Sequence, residues 1–401
     1  MSWITASLKD FACTVFDGPH ATPKDSESGH SFLGIKNVSE NGSLDLSDPK
    51  FISDEEFPKW TRRVKPKKND VVFSYEATLH RYAIIPEGFD GCLGRRMGLV
   101  RVDEGKLVPR YLLYYFLSPL WRAYADTKVI IGATVNRLPI KDFPDFQISA
   151  PDLHHQQRIV EILASYDDLI ENNRRRIQLL EESARLLYQE WFVHLRFPGH
   201  EQVKTIDGVP EGWDKTTADK VMDVLSGGTP KTKVTEFWDG EIPFFTPKDA
   251  KGLFTYNTEK TITDLGLSKC NGRLYPKYTV FITARGTVGK LSFAQRPMAM
   301  NQSCYALVTK GEISQEFLYS SLKASIEQFK ARASGAVFDA IVVDTFKNIP
   351  FLVPSSSLRD EFTEQVKDVF SQIDNLSIQN MKLAQARDLL LPKLMSGELT
   401  V

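Results

Sequence analysis

The sequence predicts an α+β protein in which two similar mixed α/β globular domains are separated by two long antiparallel coiled-coil helices, with pseudo-two-fold symmetry. Three observations lead to this prediction: short segments recur in the same order in both halves, a helical spacing of apolar residues follows each copy, and the composition is globular. The chain has 401 residues, of which 42% are hydrophobic and 25% are charged. This length favours two or more domains.

The first globular element ends in a segment that is echoed near the end of the chain. Residues 132–151, "GATVNRLPIKDFPDFQISAP", align without a gap with residues 335–354, "GAVFDAIVVDTFKNIPFLVP", at an offset of 203. Only four of the twenty positions are identical. Each segment is expected to close a globular domain and lead into a helix.

Three further pairs of segments follow the same order. "DVVFSYEAT" at residue 70 matches "TVFITARGT" at residue 279, and both are typical of a strand followed by a loop. "RYLLYYFLS" at residue 110 resembles "EFLYSSLKA" at residue 316, and both predict short helices. "GPHATP" at residue 18 and "GGTPKT" at residue 227 each precede an apolar strand-like run. Four ordered matches predict a duplicated domain.

A long helix is predicted after the first copy. Starting near His154, apolar or interfacial residues recur in steps of three or four, which indicates an amphipathic helix with a heptad-like seam. The helix is expected to span about 38 residues, roughly 57 Å, and to be closed by Pro198 and Gly199. The seam consists of Ile159, Ile162, Tyr166, Leu169, Asn173, Ile177, Leu180, Ala184, Leu187 and Trp191.

A second helix of the same kind is predicted after Pro354. Its seam consists of Phe362, Val366, Val369, Ile373, Leu376, Asn380 and Leu383. Pro392 is expected to end or kink it, because proline lacks a backbone donor and clashes with the preceding turn. Asn173 and Asn380 both fall on a seam, where a polar residue either fixes the register or marks a frayed, solvent-facing position. The expected boundaries are 1–151, 152–197, 198–354 and 355–401, as domain, helix, domain and helix.

Motifs of catalysis are weak in this sequence. Residues 348–351, "NIPF", resemble a methyltransferase loop, but no G-x-G is present, so we expect them only to lead into a strand. "TVGKL" at residue 287 departs from a phosphate-binding loop. Asp145 or Asp152 could begin a nuclease carboxylate cluster, but the next Asp-x-Lys, Asp249–Lys251, follows only about a hundred residues later, beyond the predicted helix. His154 and His155 lack a partner motif, so a solvated pair is favoured over a metal site.

Charge and cysteine content set the broad class. The formal net charge is −1, which argues only weakly against nucleic-acid binding because a local basic patch can suffice. Four dispersed cysteines without a C-x-x-C favour a reduced, cytoplasmic protein. The N-terminal residues do not resemble a signal peptide, and no apolar run of about 18 residues predicts a membrane span.

Basic loops are the candidate contacts to DNA, because lysine and arginine neutralise phosphates and can also contact guanine, whereas asparagine and glutamine can contact adenine. "KWTRRVKPKK" at residue 59 holds six basic residues in ten. The candidates of the first domain are Lys59, Arg62, Arg63, Lys65, Lys67, Lys68, His80, Arg81, Arg95, Arg96 and Arg137. Those of the second domain are Lys231, Lys233, Lys248, Lys251, Arg285, Lys290, Asn301, Gln302, Lys330 and Arg332.

The layout and two helical segments resemble the specificity (S) subunits of type I restriction–modification systems. Residues 156–192, "QQRIVEILASYDDLIENNRRRIQLLEESARLLYQEWF", are similar to the family's central conserved region, and residues 387–399, "RDLLLPKLMSGEL", are similar to its distal one. The resemblance covers essentially the whole chain. It is specific in the helices and only general in the globular domains.

The resemblance implies a subunit that is not itself an enzyme. Each globular domain would be a target-recognition domain that reads one half of a split, asymmetric double-stranded DNA sequence, and the helices would set the spacing. Two methyltransferase subunits, which carry the S-adenosylmethionine site, would dock, followed by motor–nuclease (restriction and translocase) subunits. No cofactor, metal or membrane is expected for this chain itself. Residues proposed to contact a partner are Trp191, Phe192, Leu390 and Leu394.

Two other functions remain open from the sequence. The first is a scaffold that binds proteins through its repeated domains and has no role with DNA. The second is a self-contained methyltransferase or nuclease, against which the missing glycine turns and carboxylate–lysine cluster argue. Salt-dependent DNA binding separates the first alternative from a DNA-recognition subunit.

Overall fold

A computed structural model describes residues 3–132, 134–333 and 340–401, and for residues 327–333 the backbone only. The chain forms two compact units, each built from one mixed α/β part and a piece of both long helices. Unit 1 comprises Met1–Glu171 and Asn380–Val401, and unit 2 comprises Asn172–Gln379. Among the described residues, no helix combines the length and apolarity needed to cross a membrane.

The described residues of unit 1 form nine short strands in three sheets. They are β1 (Ile4–Ser7), β2 (Thr14–Asp17), β3 (His30–Leu33), β4 (Lys50–Ile52), β5 (Val71–Ser74), β6 (Tyr82–Ile84), β7 (Gly91–Leu93), β8 (Met97–Arg101) and β9 (Gln147–Ala150). The largest sheet is antiparallel with the order β2-β8-β5-β6. A second has the order β4-β3-β7, with β3 and β7 parallel, and β1 pairs with β9. The short helices of unit 1 are α1 (Phe57–Trp60), α2 (Pro109–Leu117) and α3 (Pro119–Asp126).

Unit 2 repeats these sheets with small additions. Its strands are β10 (Thr205–Ile206), β11 (Val209–Pro210), β12 (Asp214–Thr217), β13 (Met222–Ser226), β14 (Trp238–Phe245), β15 (Phe254–Thr255), β16 (Lys260–Ile262), β17 (Val280–Thr283), β18 (Leu291–Ala294), β19 (Ala299–Met300), β20 (Cys304–Thr309) and β21 (Pro350–Val353). The orders β13-β20-β17-β18, β16-β14-β19 and β12-β21 match the three sheets of unit 1. Strand β15 extends the first sheet, and β10 and β11 form a separate hairpin. The prediction of an α+β fold with two similar domains and two long helices is therefore confirmed.

The helical elements of the two units also correspond. Unit 1 places α2 and α3 where unit 2 has one helix, α7 (Gln315–Ala333). The break follows from Pro119, which cannot continue a hydrogen-bonded helix, and the Ser118 side chain caps α3. Unit 2 also contains α5 (Ala218–Val221), α6 (Asp264–Ser268) and α8 (Val343–Lys347), and the long helices are α4 (Leu153–Tyr188) and α9 (Ser356–Ser396).

The first long helix extends about as far as its sequence spacing predicts and ends in a different helical geometry. Helix α4 is regular for 36 residues to Tyr188, and a single π-helical turn spans Gln189–Val193. Leu195 then adopts a positive φ angle, so the chain leaves the helical path before Pro198. Trp191 in the π-helical turn is buried in the core of unit 2, where its ring lies 6.0 Å from that of Phe362 in α9, so the predicted seam continues to this residue.

The second long helix runs through the proline that was expected to end or kink it. Helix α9 contains Pro392 and continues to Ser396. Leu391, Leu394 and Met395 are buried in the core of unit 1 on either side of the proline. These contacts hold the last turns in place and compensate for the lost hydrogen bond, so the helix does not end at Pro392.

The two long helices pack against each other within each unit. In unit 2 the Asn173 Nδ2 donates to Gln379 Oε1 at 3.5 Å, whereas Tyr188 contacts Phe362 with ring centroids 5.7 Å apart. Residue numbers rise along one helix while they fall along the other, so the pieces in unit 2 are antiparallel, as predicted. In unit 1 the Arg387 Nη1 donates to Asp167 Oδ1 at 2.6 Å. Asn173 is 2% exposed, which favours a register-fixing role over a solvent-facing one.

Candidate nucleic-acid interface

In each unit, three loops meet at one end of the strands of its largest sheet. We call residues 18–20, 75–81 and 94–97 loop cluster 1, and residues 227–229, 284–290 and 301–304 loop cluster 2. Strands β2 and β5 both run antiparallel to β8, so the ends of the first two meet the start of the third. The same holds for β13, β17 and β20.

The strand register makes the two clusters equivalent residue by residue. Ser74 lies opposite Met97 in unit 1, and Thr283 lies opposite Cys304 in unit 2. The Tyr75 amide donates to the Arg96 carbonyl at 3.1 Å, and the Ala284 amide donates to the Ser303 carbonyl at 2.8 Å. Position 95 of the first unit therefore corresponds to position 302 of the second.

The middle loops share one backbone conformation. The Ser74 hydroxyl donates to the Thr78 carbonyl at 2.5 Å, and the Thr283 hydroxyl makes the same bond to Thr287. Ala77 and His80 have φ angles of 68° and 61°, and their counterparts Gly286 and Gly289 have 79° and 86°. A left-handed conformation costs a residue other than glycine about 1–2 kcal/mol. The surrounding hydrogen bonds thus hold the middle loop of unit 1 in a conformation that the glycines of the equivalent loop in unit 2 adopt freely.

Two equivalent tight turns complete the clusters. The Met97 amide donates to the Gly94 carbonyl at 3.2 Å, and the Cys304 amide donates to the Asn301 carbonyl at 3.3 Å. A Cβ added at Gly18 would lie 2.6 Å from the Gly94 carbonyl oxygen, and one added at Gly227 would lie 2.3 Å from that of Asn301. Both first loops therefore press against the turn through a glycine, which fixes the position of the turn.

Most charges of loop cluster 1 are compensated, but Arg95 is not. Glu76 Oε1 lies 3.2 Å from Arg96 Nε, an ion pair without hydrogen-bond geometry. Asp17 Oδ1 accepts from Arg63 Nη1 at 2.6 Å, and Asp17 Oδ2 lies 2.9 Å from a ring nitrogen of His20. Arg95 is exposed, and it forms no ion pair within the described part of the chain.

A buried phenol backs this surface. Burial, reinforced by the charge of Asp17, raises the pKa of Tyr75 to about 12, so its hydroxyl stays protonated at neutral pH. The hydroxyl lies 3.4 Å from a ring nitrogen of His20. The phenol therefore adds a neutral polar group, not a negative charge, beside Arg95.

Loop cluster 2 distributes its charge differently. Arg285 occupies the position of Glu76 and Ser303 that of Arg96, so the carboxylate–guanidinium pair of unit 1 has no counterpart here. Arg285 and Lys290 are exposed, and neither is ion-paired within residues 134–326 or 340–401. Gln302 Oε1 accepts from the Thr229 hydroxyl. Asn301 Oδ1 accepts from the Ser303 amide at 3.0 Å, so its side chain holds the turn.

About half of the residues proposed from the sequence meet at these clusters. The side chains of Arg63 and Arg137 lie beside cluster 1, where Arg63 donates to the Gly18 carbonyl at 3.4 Å and Arg137 forms a β-bridge with Glu76. The others, which lie within the clusters, are His80, Arg81, Arg95, Arg96, Arg285, Lys290, Asn301 and Gln302. Lys231 and Lys233 follow the first loop of cluster 2 in the chain, and Lys248 is paired with Glu259 at 3.6 Å. His80 is hydrogen-bonded to Asp126 at 2.8 Å, and the charge of Arg81 is compensated by Glu40 at 2.7 Å.

The basic run at residues 59–68 is split between two places. Only Arg63 reaches loop cluster 1, because Lys67 and Lys68 precede β5 and so lie at the other end of that strand. Lys65 pairs with Asp90 at 3.1 Å, and Lys68 pairs with Glu87 at 2.9 Å. Among the DNA-contact candidates outside the clusters, those that are exposed and have no ion pair in the described part of the chain include Lys59, Arg62 and Lys67 of the basic run and Lys251 of unit 2. The side chains of Lys330 and Arg332 lie outside the described residues.

Trp191, Phe192 and Leu394, which were proposed from the sequence as partner contacts, are buried within their own units. These side chains are only 7%, 5% and 0% exposed, because each unit uses them in its own core. Leu390 is half-buried against the core of unit 1. Large apolar side chains that the described residues of the long helices do leave exposed are Leu153, Leu169, Leu179, Leu186, Met381 and Leu389.

Two motifs considered for catalysis have structural roles. Asn348 caps the end of α8, where its Nδ2 donates to the Asp344 carbonyl at 3.1 Å, and Pro350 begins β21. The "NIPF" segment thus leads into a strand, as expected. Asp152 caps the start of α4 by accepting from the His155 amide at 3.1 Å. It also binds the His155 ring, and with His154 it forms an exposed group whose potential ligand atoms lie within 4.8 Å of one another.

Several residues of the clusters were not singled out from the sequence. Glu76, His20 and Thr229 position the exposed side chains, and Gly18 and Gly227 seat the turns. The signal was present in the paired motifs "GPHATP" and "GGTPKT", which start at the two equivalent glycines.

The described residues thus form two equivalent α/β units, each with a cationic loop cluster and a piece of both long helices. Comparison with known proteins gives the family. A model of the type I restriction modification DNA specificity domain matches residues 8–182 and again residues 210–386. The chain belongs to this family and is a specificity subunit of a type I restriction–modification system.

Known relatives match along most of the chain. The specificity subunit of the type I restriction enzyme HindI from Haemophilus influenzae is 23% identical over 83% of this chain and 87% of its own length. The putative MjaX specificity subunit from Methanocaldococcus jannaschii is 21% identical over 100% and 94%. The crystal structure of a type I S subunit from M. genitalium covers 98% of this chain and 96% of its own, with a TM-score of 0.56 and 16% identity, and so it supports the fold.

Proposed function

We propose that this chain binds a bipartite, asymmetric double-stranded DNA target, with one half-site for each unit. The observation that carries the proposal is the construction of the same loop cluster twice with different side chains. A shared backbone can approach DNA in the same way in both units, whereas unlike side chains select unlike bases. The target-recognition domains are residues 1–151 and 198–354.

The charges of the clusters suit DNA contact. Arg95 and the neighbouring Arg137 in unit 1, and Arg285 and Lys290 in unit 2, are exposed cations whose charge no described carboxylate neutralises. Such cations neutralise phosphates and release counterions, which gives binding that weakens steeply with salt. Local charge thus supports DNA binding although the whole chain carries a net charge of only −1.

The long helices, at residues 152–197 and 355–401, serve in this proposal as the spacer between half-sites. The 36 residues of α4 extend for about 54 Å at 1.5 Å per residue. Half-sites one turn of DNA apart are separated by roughly 34 Å. A helix of this length is therefore long enough to set such a separation.

Partner subunits supply the chemistry. Two methyltransferase subunits dock on the helices and carry S-adenosylmethionine, and restriction–translocase subunits complete the nuclease. The exposed leucines Leu179 in unit 2 and Leu389 in unit 1, which are 71% and 63% exposed, are the proposed contacts in place of the buried Trp191 and Leu394. Leu179→Asp or Leu389→Asp should reduce the number of bound methyltransferase subunits from two to one by native mass spectrometry. Retention of two subunits by both variants would exclude this surface.

The proposal is tested by DNA binding of the chain in complex with its cognate methyltransferase subunits. Genomic fragments are bound, recovered and sequenced at several salt concentrations. We expect enrichment of a split motif, and an affinity whose logarithm falls linearly with the logarithm of salt concentration. A protein-binding scaffold would enrich no motif and show no such dependence, and that result would overturn the proposal.

A further inference from the structure

We propose that the first central residue of the equivalent turns is a base-reading position, where Arg95 contacts a guanine in one half-site and Gln302 contacts an adenine in the other. This inference rests on the proposed DNA-binding function and assigns a specificity determinant to each unit. The two residues are equivalent in place and different in chemistry.

The equivalence is a matter of backbone geometry. Each turn begins one residue before its reading position, at Gly94 or Asn301, and closes with an amide-to-carbonyl bond of 3.2 or 3.3 Å. The turn in each unit also abuts a glycine of the first loop, Gly18 or Gly227. A turn held from two sides presents its first central side chain from a fixed point, which limits the entropy lost when that side chain binds.

The neighbours of Arg95 leave its guanidinium available. The nearby carboxylate of Glu76 is paired with Arg96 at 3.2 Å, and that of Asp17 is paired with Arg63 at 2.6 Å. Arg95 is exposed and lacks an ion pair with any carboxylate among the described residues. Its five donors are therefore free for an external acceptor pair.

The neighbours of Gln302 orient its amide. The Thr229 hydroxyl donates to Gln302 Oε1 and fixes the oxygen, which retains a second lone pair, while the Nε2 donors have no partner among the described residues. Asn301 is committed to its own turn through the Ser303 amide. Position 302 is thus favoured over position 301 as the reader.

The two side chains match different bases in the major groove. Arginine donates two hydrogen bonds to O6 and N7 of guanine, whereas glutamine accepts from N6 and donates to N7 of adenine. The same turn carrying a different side chain therefore requires different base pairs at corresponding positions of the half-sites. This difference contributes to the asymmetry of the target.

An exchange of the two side chains tests the inference. The variants Arg95→Gln and Gln302→Arg are each assembled with the cognate methyltransferase subunits, and the bound motif is determined from a randomised DNA library. We expect Arg95→Gln to change the preferred base pair at one position of one half-site from G·C to A·T. Gln302→Arg should change the preferred base pair at one position of the other half-site from A·T to G·C. Affinity for the original DNA should fall roughly 5- to 150-fold.

Two controls separate base reading from other effects. Arg62→Gln removes an exposed, unpaired cation of unit 1 outside the turn. It should weaken binding to all DNA sequences by the same factor and leave the selected motif unchanged. Arg95→Lys keeps the charge but loses the forked donor geometry, so it should relax selection at the same base pair. An unchanged motif in Arg95→Gln and Arg95→Lys, or a uniform loss like that of Arg62→Gln, would overturn the inference. A wild-type complex that selects no motif would overturn the proposed function instead.

Discussion

The end of helix α9 provides a stringent test of how the chain uses its apolar residues. Leu394 is 0% exposed and belongs to the same core as Ile159 and Leu163 of α4, whereas Leu389 on the same helix is 63% exposed. Truncation of a buried leucine to alanine costs about 2–5 kcal/mol, because transfer free energy is lost and a cavity remains. Truncation at an exposed site changes stability by about 0.5 kcal/mol or less.

These values translate into a measurable melting difference. For a unit of this size, 1 kcal/mol shifts the melting temperature by about 2–4 °C. Leu394→Ala should therefore lower the melting temperature of unit 1 by roughly 5–20 °C in scanning calorimetry, and Leu389→Ala by no more than about 2 °C.

Hydrogen exchange shows which unit responds. Amides of residues 153–171 and 380–396 should lose protection in Leu394→Ala, while those of the central part of unit 2 keep theirs. Equal effects of the two substitutions would refute the assignment of this turn to the core. They would instead indicate that Leu394 is exposed and available to contact a partner subunit, as proposed from the sequence.

Three further predictions address the loops and charges. Gly227→Ala places a Cβ 2.3 Å from a carbonyl oxygen and should weaken selection in one half-site, whereas Gly252→Ala, where nothing lies within 4 Å, should bind as wild type does; similar motifs from both would count against the seated turn. Lys290→Gln removes an exposed, unpaired cation of loop cluster 2 and should lower the log–log slope of DNA affinity against salt by about one, whereas Lys68→Gln should change it less because Lys68 is paired with Glu87; the opposite order in salt titrations would contradict the charge assignment. Burial raises the pKa of Glu181, so its ionised form opposes folding and stability is lost as pH rises through that pKa; Glu181→Gln should gain stability over wild type at pH 7 and lose this advantage toward pH 4 in urea unfolding, and a constant difference across that range would contradict the burial effect.

The repeats and the helices could be predicted because they depend on local patterns. A strand followed by a loop, as at residues 70–78, keeps its alternation in both copies, and a seam of threes and fours specifies a helix without reference to its partner. The loop clusters could be predicted only in part. Basic residues are visible in sequence, but whether a carboxylate such as Glu76 neutralises one of them depends on tertiary contacts.

The errors have a common physical origin in tertiary packing. Pro392 is tolerated because buried neighbours hold the helix around it, and Trp191 is buried because the core of unit 2 extends to the end of α4. A periodic pattern identifies which residues seek burial but not what covers them. The equivalence of Arg95 and Gln302 was likewise hidden, since the matching turns differ at all four positions and are aligned only by strand register.

The most direct test of the central claim is to map methylated bases in DNA exposed to the complex of this chain with its cognate methyltransferase subunits. If each unit binds one half-site, the map will show a single split motif with one modified adenine in each half and a fixed, unselected gap between them. A single contiguous motif, or methylation without sequence preference, would contradict the account.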